Sequence, residues 1–149
     1  MARPQSLAVL AVLALSAAVF ADDPTKPSPP KPLAIPTGLQ GASYVHTVIF
    51  HLKKDAPPDT ADKVIADCHT LLEPIPTVRL LRASKPAAED QSTPKVAVRD
   101  YDVALLVLFD DPAGLKTYID HDLHKKFVAT YEKYFDKVEV FDFLDTAKK

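Results

Sequence analysis

From residue 44 onward, apolar positions recur at two spacings that predict alternating strands and helices. Four segments have the two-residue alternation of a half-buried strand or the unbroken apolar run of a fully buried one: residues 44–53, 77–85, 96–109 and 138–144. Within the third segment, residues 103–109 are apolar without interruption, which predicts a strand covered on both faces. Residues 86–95 contain two prolines and several polar side chains, so they predict an exposed loop.

Two other segments have helical spacing. The first begins at Asp59 or Thr60 and ends before Pro74. Its apolar stripe consists of Val64, Ile65, Cys68, Leu71 and Leu72. The second begins with Asp111 as the N-cap and Pro112 as the first helical residue. Apolar residues then recur at Leu123, Phe127, Tyr131 and Tyr134. This recurrence predicts either a continuation of the same helix or a further helix.

The order strand, helix, strand, strand, helix, strand predicts an α+β fold with a four-stranded antiparallel sheet, the ferredoxin-like arrangement. Two helices cover one face of such a sheet. The first, third and fourth strands are apolar on both sides, so the second face needs a cover other than water. Because two-fold homodimers are the commonest oligomers, we predict a homodimer joined through its sheet faces. We expect acidic substitution of Val48 or Val107 to split or unfold this dimer.

Residues 1–21 have the features of a secretory signal peptide. Arg3 supplies the positive start, an apolar run follows, and Val19 and Ala21 are the small residues expected before cleavage at Asp22. The run is shorter than a membrane span requires. We therefore predict export to a periplasmic or extracellular location, without stable membrane insertion after cleavage. An uncleaved N-terminal anchor is the alternative.

Residues 22–42 predict a Pro-rich linker. The prolines are Pro24, Pro27, Pro29, Pro30, Pro32 and Pro36. They favour extended polyproline II and leave no apolar periodicity from which a core could form. A plain spacer and a Pro-rich ligand for another domain both fit this composition. The globular domain is therefore predicted over residues 43–146.

Composition and charge narrow the classes of partner. The chain has 149 residues, a formal net charge of −2 and no basic cluster, so we predict no nucleic-acid partner. It has one cysteine, Cys68, and no internal disulfide can form. Cys68 lies in the apolar stripe of the first helix, which predicts a small buried side chain. A reactive thiol is the alternative.

One part of the chain concentrates side chains that can exchange protons. Tyr118, His121 and His124 follow the third strand, and on a continuous helix they would lie within about 120° of one another. Because a histidine titrates near neutral pH, it is the candidate general base in a chain without a serine or cysteine nucleophile motif. His46 opens the first strand on the same side as Phe50, and the first and third strands are central neighbours in a ferredoxin-like sheet. We therefore expect His46 near the other two histidines.

These histidines also have simpler interpretations. His124 can serve in packing and hydrogen bonding near the interior instead of in chemistry. His121 and His124 have the i, i+3 spacing of a metal-binding pair, but such a site needs a third ligand. Candidates such as His46 or Asp142 are not fixed by the sequence. We therefore predict no metal and no cofactor, and haem in particular has no axial-ligand motif here.

Four motifs, spread over residues 44–145, carry a family resemblance. They are the strand His-Thr-Val-Ile-Phe-His-Leu-Lys opened by His46, the pair Tyr101-Asp102, the segment Tyr-Ile-Asp-His-Asp-Leu-His at residues 118–124 with Phe127 after it, and Val-Glu-Val-Phe-Asp-Phe at residues 138–143. Together they resemble the stress-responsive A/B barrel family, often called the Dabb domain. The resemblance implies a dimeric α+β barrel in which two sheets pack face to face, in agreement with the two-sided strands.

One branch of this family, a plant polyketide cyclase, closes linear poly-β-ketones by aldol condensation. The resemblance implies that His124 is the general base and that Tyr118 hydrogen-bonds the substrate, with His46 at the position of the strand-one histidine. We expect Phe50 and His121 to contact a ligand beside them. Two parts of the sequence depart from the pattern. Val103 stands where the cyclase has a further histidine, and His-Asp-Leu-His replaces the usual His-Pro-Ala-His.

Three functions remain open from the sequence. The first is an exported dimeric barrel that binds a small apolar or carbonyl ligand without turnover. The second is an enzyme that abstracts a proton from a carbonyl compound, with His124 and Tyr118 as its catalytic residues. The third is a structural oligomer with a packed interior. An apolar cavity of at least ~300 Å³ that reaches His124 favours either of the first two functions over the third.

Overall fold

The structure, a computed structural model, describes residues 41–145 and confirms the predicted fold class. Its elements in chain order are β1 (Tyr44–Leu52), α1 (Thr60–Asp67), β2 (Leu80–Ser84), β3 (Val103–Phe109), α2 (Pro112–Asp120), α3 (Asp122–Tyr131) and β4 (Phe135–Leu144). A π-helical turn (Cys68–Leu72) continues α1, and 3-10 turns lie at Glu89–Gln91 and Glu132–Tyr134. The strands form an antiparallel sheet in the order β2-β3-β1-β4, the ferredoxin-like arrangement.

The predicted signal peptide, residues 1–21, lies outside the described residues, as does all but the end of the predicted linker, residues 22–42. Near the end of that linker, Gly41 has φ 96°, a backbone conformation that glycine adopts readily and other residues rarely do. The turn at Gly41 leads directly into β1. In the described part of the chain, no helix is long and apolar enough to cross a membrane.

Alternation on the two central strands decides which side of the sheet enters the core. The buried residues are His46, Val48 and Phe50 on β1 and Val103, Leu105, Val107 and Phe109 on β3. Their neighbours in sequence are only partly buried. Because β1 and β3 pair with His46 opposite Val107 and Phe50 opposite Val103, both buried sets point to the same side. We call this side the helix face, since the helices pack against it.

The first helix buries its predicted apolar stripe. Val64, Cys68 and Leu72 are all buried in the core, although the α-helix changes to a π-helical turn at Cys68. Cys68 is fully buried, so the prediction of a small buried side chain is confirmed. Its burial raises the pKa of the thiol to about 12, which disfavours the reactive thiolate. At the start of the helix, Asp59 makes no side-chain cap and instead pairs with Lys63 at 2.7 Å.

The second helical segment is two helices rather than one. His121 has φ −71° and ψ 142°, an extended conformation that ends α2 and begins α3. Its N–H donates to the carbonyl oxygen of Tyr118 at 3.2 Å, and its ring Nδ1 accepts from the N–H of Leu123 at 3.2 Å. Tyr118, His121 and His124 therefore do not lie on one continuous helix, which was the condition for their sharing one helical face.

Three element boundaries differ from the sequence prediction. β2 begins at Leu80 instead of residue 77, because a turn in which the Val78 N–H donates to the Ile75 carbonyl precedes it. β3 occupies only the last seven residues of its predicted segment, and Val96 lies exposed in the preceding loop. β4 begins at Phe135 instead of Val138, because the 3-10 turn before it delivers the chain directly to the end of β1.

The other side of the sheet, the open face, is accessible and largely apolar, with the His51–Glu139 pair near one end of β1. It contains Val45 and Ile49 of β1, Leu106 and Leu108 of β3, and Phe141 and Phe143 of β4. Both phenylalanines are more than half exposed. Val48 and Val107, in contrast, lie buried on the helix face, so their predicted use as probes of a sheet-to-sheet contact was wrong. A charge at either position would disrupt the monomer core instead.

The N-cap of α2 provides a direct test of the helix start. The Asp111 Oδ1 accepts from the Gly114 N–H at 2.9 Å. We expect Asp111→Ala to lower the free energy of unfolding by about 1 kcal/mol, since it leaves one helix N–H without this acceptor. Asp111→Asn keeps the acceptor and should stay close to wild type in urea denaturation. Equal losses for the two variants would mean that charge, and not the cap, is what matters.

Candidate active site

A cavity of about 390 Å³ lies on the helix face, between the helices and strands β1 and β4. It is lined by His46, Val48, Phe50, Leu72, Leu105, Tyr118, Ile119, His124, Phe127, Val128, Glu132, Phe135, Val138, Val140 and Asp142. The space stays open because β4 is an edge strand. Val138 and Val140 pair with Phe50 and Val48, yet they are 45% and 50% exposed. The interior is therefore not packed shut beside His124.

Tyr118 supplies a phenol to one end of the cavity. The residue is 1% exposed, and its ring packs against Phe109 at 5.1 Å and His124 at 4.7 Å between ring centroids. Burial raises the pKa of this phenol, so it remains protonated and can donate a hydrogen bond. Within residues 41–145 the Tyr118 hydroxyl has no hydrogen-bond partner. Every fully buried side-chain nitrogen or oxygen in this range has one, so the Tyr118 hydroxyl is not fully buried. The hydroxyl therefore keeps its access to the cavity.

His124 reaches the same end of the cavity from α3. Burial lowers the pKa of its imidazole, and the neighbouring His46 lowers it further, while a backbone hydrogen bond at Ile119 acts in the opposite direction. The net shift is downward, so the neutral ring is favoured near neutral pH. A neutral imidazole has a nitrogen that can accept a proton.

His46 enters the cavity from β1 and is held by a carboxylate on β4. The Nδ1 of His46 lies 2.7 Å from the Oδ1 of Asp142, and the two residues are direct partners in the β1–β4 register. The His46 side chain is 10% exposed and that of Asp142 is 37% exposed. The ring of His46 also meets Tyr118 edge-on at 6.0 Å. The pair therefore completes a polar end that contains a phenol, two imidazoles and a carboxylate.

The opposite end of the cavity is formed mainly by aromatic rings. Phe50 packs between Phe127 and Phe135, at 6.4 Å and 4.8 Å between ring centroids. His46 and Phe50 lie on the same side of β1, four residues apart, so the two ends are separated by about 13 Å. The cavity is therefore elongated, with the phenol, the two imidazoles and Asp142 at one end and with Glu132 beside the aromatic rings at the other.

The structure brings together four of the five residues proposed from the sequence. His46, Phe50, Tyr118 and His124 line the cavity, whereas His121 does not, because its ring caps α3. Within residues 41–145, no group of three or more histidine, cysteine, aspartate or glutamate side chains is placed to hold a metal ion.

Asp142 is the site residue that sequence reasoning placed in the wrong context. It was considered only as a third metal ligand, whereas it hydrogen-bonds His46. The alternation on β4 puts Asp142 on one side with Val138 and Val140, but only the register with β1 shows that this side faces the cavity. The contact between His46 and Asp142 could therefore be predicted from the sequence only if the β1–β4 register were already known.

The sequence of the domain identifies its family. A family model described as the Stress Responsive A/B Barrel Domain, or Dabb, matches residues 45–145. The chain belongs to this family. The match covers nearly the whole of the described fold, so the predicted family is confirmed. No curated protein sequence matches the chain.

Solved structures of similar fold include other Dabb and ferredoxin-like proteins. A Dabb family protein from Mesorhizobium loti is 24% identical, with a TM-score of 0.56 over 69% of this chain and 96% of that chain. A dimeric ferredoxin-like protein of unknown function from Thermobifida fusca is 22% identical, with a TM-score of 0.58 over 70% and 92%. A hydroxynitrile lyase from Passiflora edulis is 14% identical, with a TM-score of 0.59 over 73% and 98%. At these identities the likeness establishes the Dabb fold alone.

The lowered pKa of His124 predicts how the stability of the Dabb domain depends on pH. Below about pH 6.5, an ordinary histidine in the unfolded chain binds a proton that half-buried His124 resists. Stability is therefore full above this pH and falls as the pH drops through this window. We expect the melting temperature of wild type to decrease more between about pH 7.5 and about pH 5.5 than that of His124→Gln.

His69→Gln is the matched control for this measurement. His69 lies exposed on the π-helical turn and pairs with Glu73 at 2.7 Å, outside the cavity. Its substitution should leave the difference in melting temperature between the two pH values close to that of wild type. If His124→Gln and wild type lose stability in parallel, burial of a neutral imidazole is not the cause.

Proposed function

We propose that this Dabb protein binds a small, mainly apolar carbonyl compound in the cavity on the helix face. The observation that supports this function is the cavity of about 390 Å³, with Tyr118, His46 and His124 at one end and mainly apolar side chains along the rest. Ligand sites in proteins typically combine such an apolar lining with a few polar groups that fix orientation. The packed-interior alternative is disfavoured by the same cavity.

The polar end suits a carbonyl group in particular. The Tyr118 hydroxyl is protonated, faces the cavity and has no hydrogen-bond partner within residues 41–145. A carbonyl oxygen accepts such a hydrogen bond without bringing a proton of its own. A buried donor that gains this partner favours the ligand over an alkane of the same shape, which would leave the hydroxyl unsatisfied.

A second candidate function is proton transfer next to that carbonyl. The lowered pKa of His124 supports it, as does the Asp142 carboxylate that orients His46. The neutral His124 would take the acidic proton on the carbon beside the carbonyl, while Tyr118 donates to the enolate oxygen that forms. Positioned base catalysis contributes about 10²–10⁴ in rate, and a donor to the oxyanion contributes roughly 10²–10³.

We further propose that the domain is a homodimer joined through its open faces. Phe141 and Phe143 are 53% and 55% exposed, and Val45, Ile49 and Leu106 extend this apolar surface across the sheet. A stable interface removes about 800 Å² per partner from water, and the face of a four-stranded sheet offers an area of this order. The related protein from Thermobifida fusca is described as dimeric.

The dimer is tested by a charge on the open face. We expect Phe141→Asp to give a folded monomer, because its side chain is exposed in the single chain but would be buried between two sheets. Val96→Asp is the control, since Val96 is 73% exposed in the loop that precedes β3. Light scattering gives the mass and circular dichroism the fold. A Phe141→Asp protein that remains dimeric would locate the interface elsewhere.

Ligand binding is tested by two substitutions at the polar end. We expect His124→Ala and Tyr118→Phe each to weaken binding of a small carbonyl compound about threefold to tenfold, the usual loss for one hydrogen bond. Calorimetry with acetylacetone, ethyl acetoacetate and cyclohexanone measures affinity, and loss of deuterium from labelled acetylacetone measures proton transfer.

His69→Ala is the control for these variants, because it removes an exposed histidine far from the cavity. Each variant is first required to keep the fold and oligomeric state of wild type. If both site variants bind as wild type does, the site is wrongly assigned. Binding without deuterium loss would support ligand binding and contradict the proposed proton transfer.

We also propose that the protein is exported, on the basis of the charge, apolar run and Val-x-Ala pattern in residues 1–21. We expect the mature chain to begin at Asp22, because a signal peptidase cleaves after small residues at the −3 and −1 positions. N-terminal sequencing of the protein from its host measures this directly. A mature chain that retains Met1 in the cytosol contradicts the proposal.

A further inference from the structure

Among residues 41–145, the fixed charges that line the cavity are all negative. Asp142 lies at the polar end beside His46, and Glu132 lies at the opposite end, three residues before Phe135. In the part of the chain that the structure describes, no lysine or arginine lines the cavity. Proteins ordinarily hold a ligand carboxylate with one of these two cations. The lining therefore lacks the partner that an anionic ligand requires.

We propose that the cavity selects uncharged carbonyl compounds over carboxylates of the same shape, and that Asp142 determines this selection. The inference rests on the proposed carbonyl ligand and adds to it the charge of the ligand. It assigns to Asp142 a role in specificity besides its hydrogen bond to His46.

The position of Asp142 explains why its charge reaches a ligand. Its Oδ1 lies 2.7 Å from His46 Nδ1, and the same side chain lines the cavity. A ligand whose polar group accepts a hydrogen bond from Tyr118 lies at this end of the cavity. A carboxylate there would share this end of the cavity with a like charge. Two like charges about 4 Å apart repel by about 1 kcal/mol in bulk water and by more in a partly solvated site, which weakens binding on the order of tenfold. An uncharged carbonyl does not experience this repulsion.

The length of the cavity adds a second requirement. Its polar and apolar ends are about 13 Å apart along β1, and the apolar end is formed by the rings of Phe50, Phe127 and Phe135. A ligand that uses both ends has its carbonyl near one end and an apolar chain that reaches the other. Straight-chain methyl ketones have this shape.

A pair of probes with the same chain and nearly the same shape, one uncharged and one anionic, tests the selection. Methyl hexyl ketone and heptanoate have the same chain, and a carboxylate oxygen in heptanoate takes the place of the methyl group in the ketone. Calorimetry at about pH 8, where imidazoles are ordinarily uncharged, gives the two affinities for the full folded protein. We expect the ketone to bind wild type at least about tenfold more tightly than heptanoate.

Two variants, each of which removes one negative charge, test whether Asp142 causes the preference for the ketone. Asp142→Asn keeps the shape and an acceptor for His46, and it should reduce the ratio of ketone affinity to heptanoate affinity on the order of tenfold. Glu132→Gln removes an equal charge from the exposed far end, about 13 Å from the ligand's polar group, and it should reduce the ratio much less. The ratio is compared instead of either affinity because general damage to the site affects both ligands.

Each result either supports or overturns the inference. A wild-type ratio near one overturns it while the proposed carbonyl ligand stands. A ratio that is equally high in Asp142→Asn, or that falls equally in Glu132→Gln, overturns the role of Asp142. If wild type binds neither probe, the inference falls, whereas the proposed function is decided separately by the shorter carbonyl compounds and the His124 and Tyr118 variants.

Discussion

The register of β1 between its two neighbours is the constraint on which the rest of this structure depends. β1 pairs with β3 on one side and β4 on the other, so its alternation decides the facing of three strands at once. His46, Val48 and Phe50 point toward the helices in this register. A slip of one residue would put them on the open face and bring Val45, Thr47, Ile49 and His51 inward. The core, the cavity and the open face are therefore all set by the same pairing.

The domain has a cavity because the sheet extends past the helices that cover it. The helices bury the side chains of β3 and β1, but β4 lies beyond them, and Val138 and Val140 remain exposed on the helix face. The break at His121 also contributes, because it lets α2 bring Tyr118 and α3 bring His124 to one place from different directions. The phenol and the imidazoles that line the resulting space lie at the end where Asp142 holds His46.

Patterns that depend on local periodicity could be predicted from the sequence, and those that depend on long-range pairing could not. The strand alternation, the Asp111 cap and the buried Cys68 each follow from a few neighbouring residues. The break between α2 and α3 had no such signal, because neither proline nor glycine occurs from residue 119 to 123 and a histidine ring supplies the cap. The facing of Val48 and the pairing of Asp142 with His46 both required the register between strands far apart in sequence.

Strict alternation on β4 links the two proposed surfaces of this Dabb protein. Val140 and Asp142 face the cavity, whereas Phe141 and Phe143 face the open side of the sheet. β4 is paired along one edge only, and edge strands open more readily than central ones. In the proposed homodimer, burial of the two phenylalanines would hold the strand from the side opposite the cavity. The position of the Asp142 carboxylate against His46 would then depend on contacts made across the sheet as well as on those within the site.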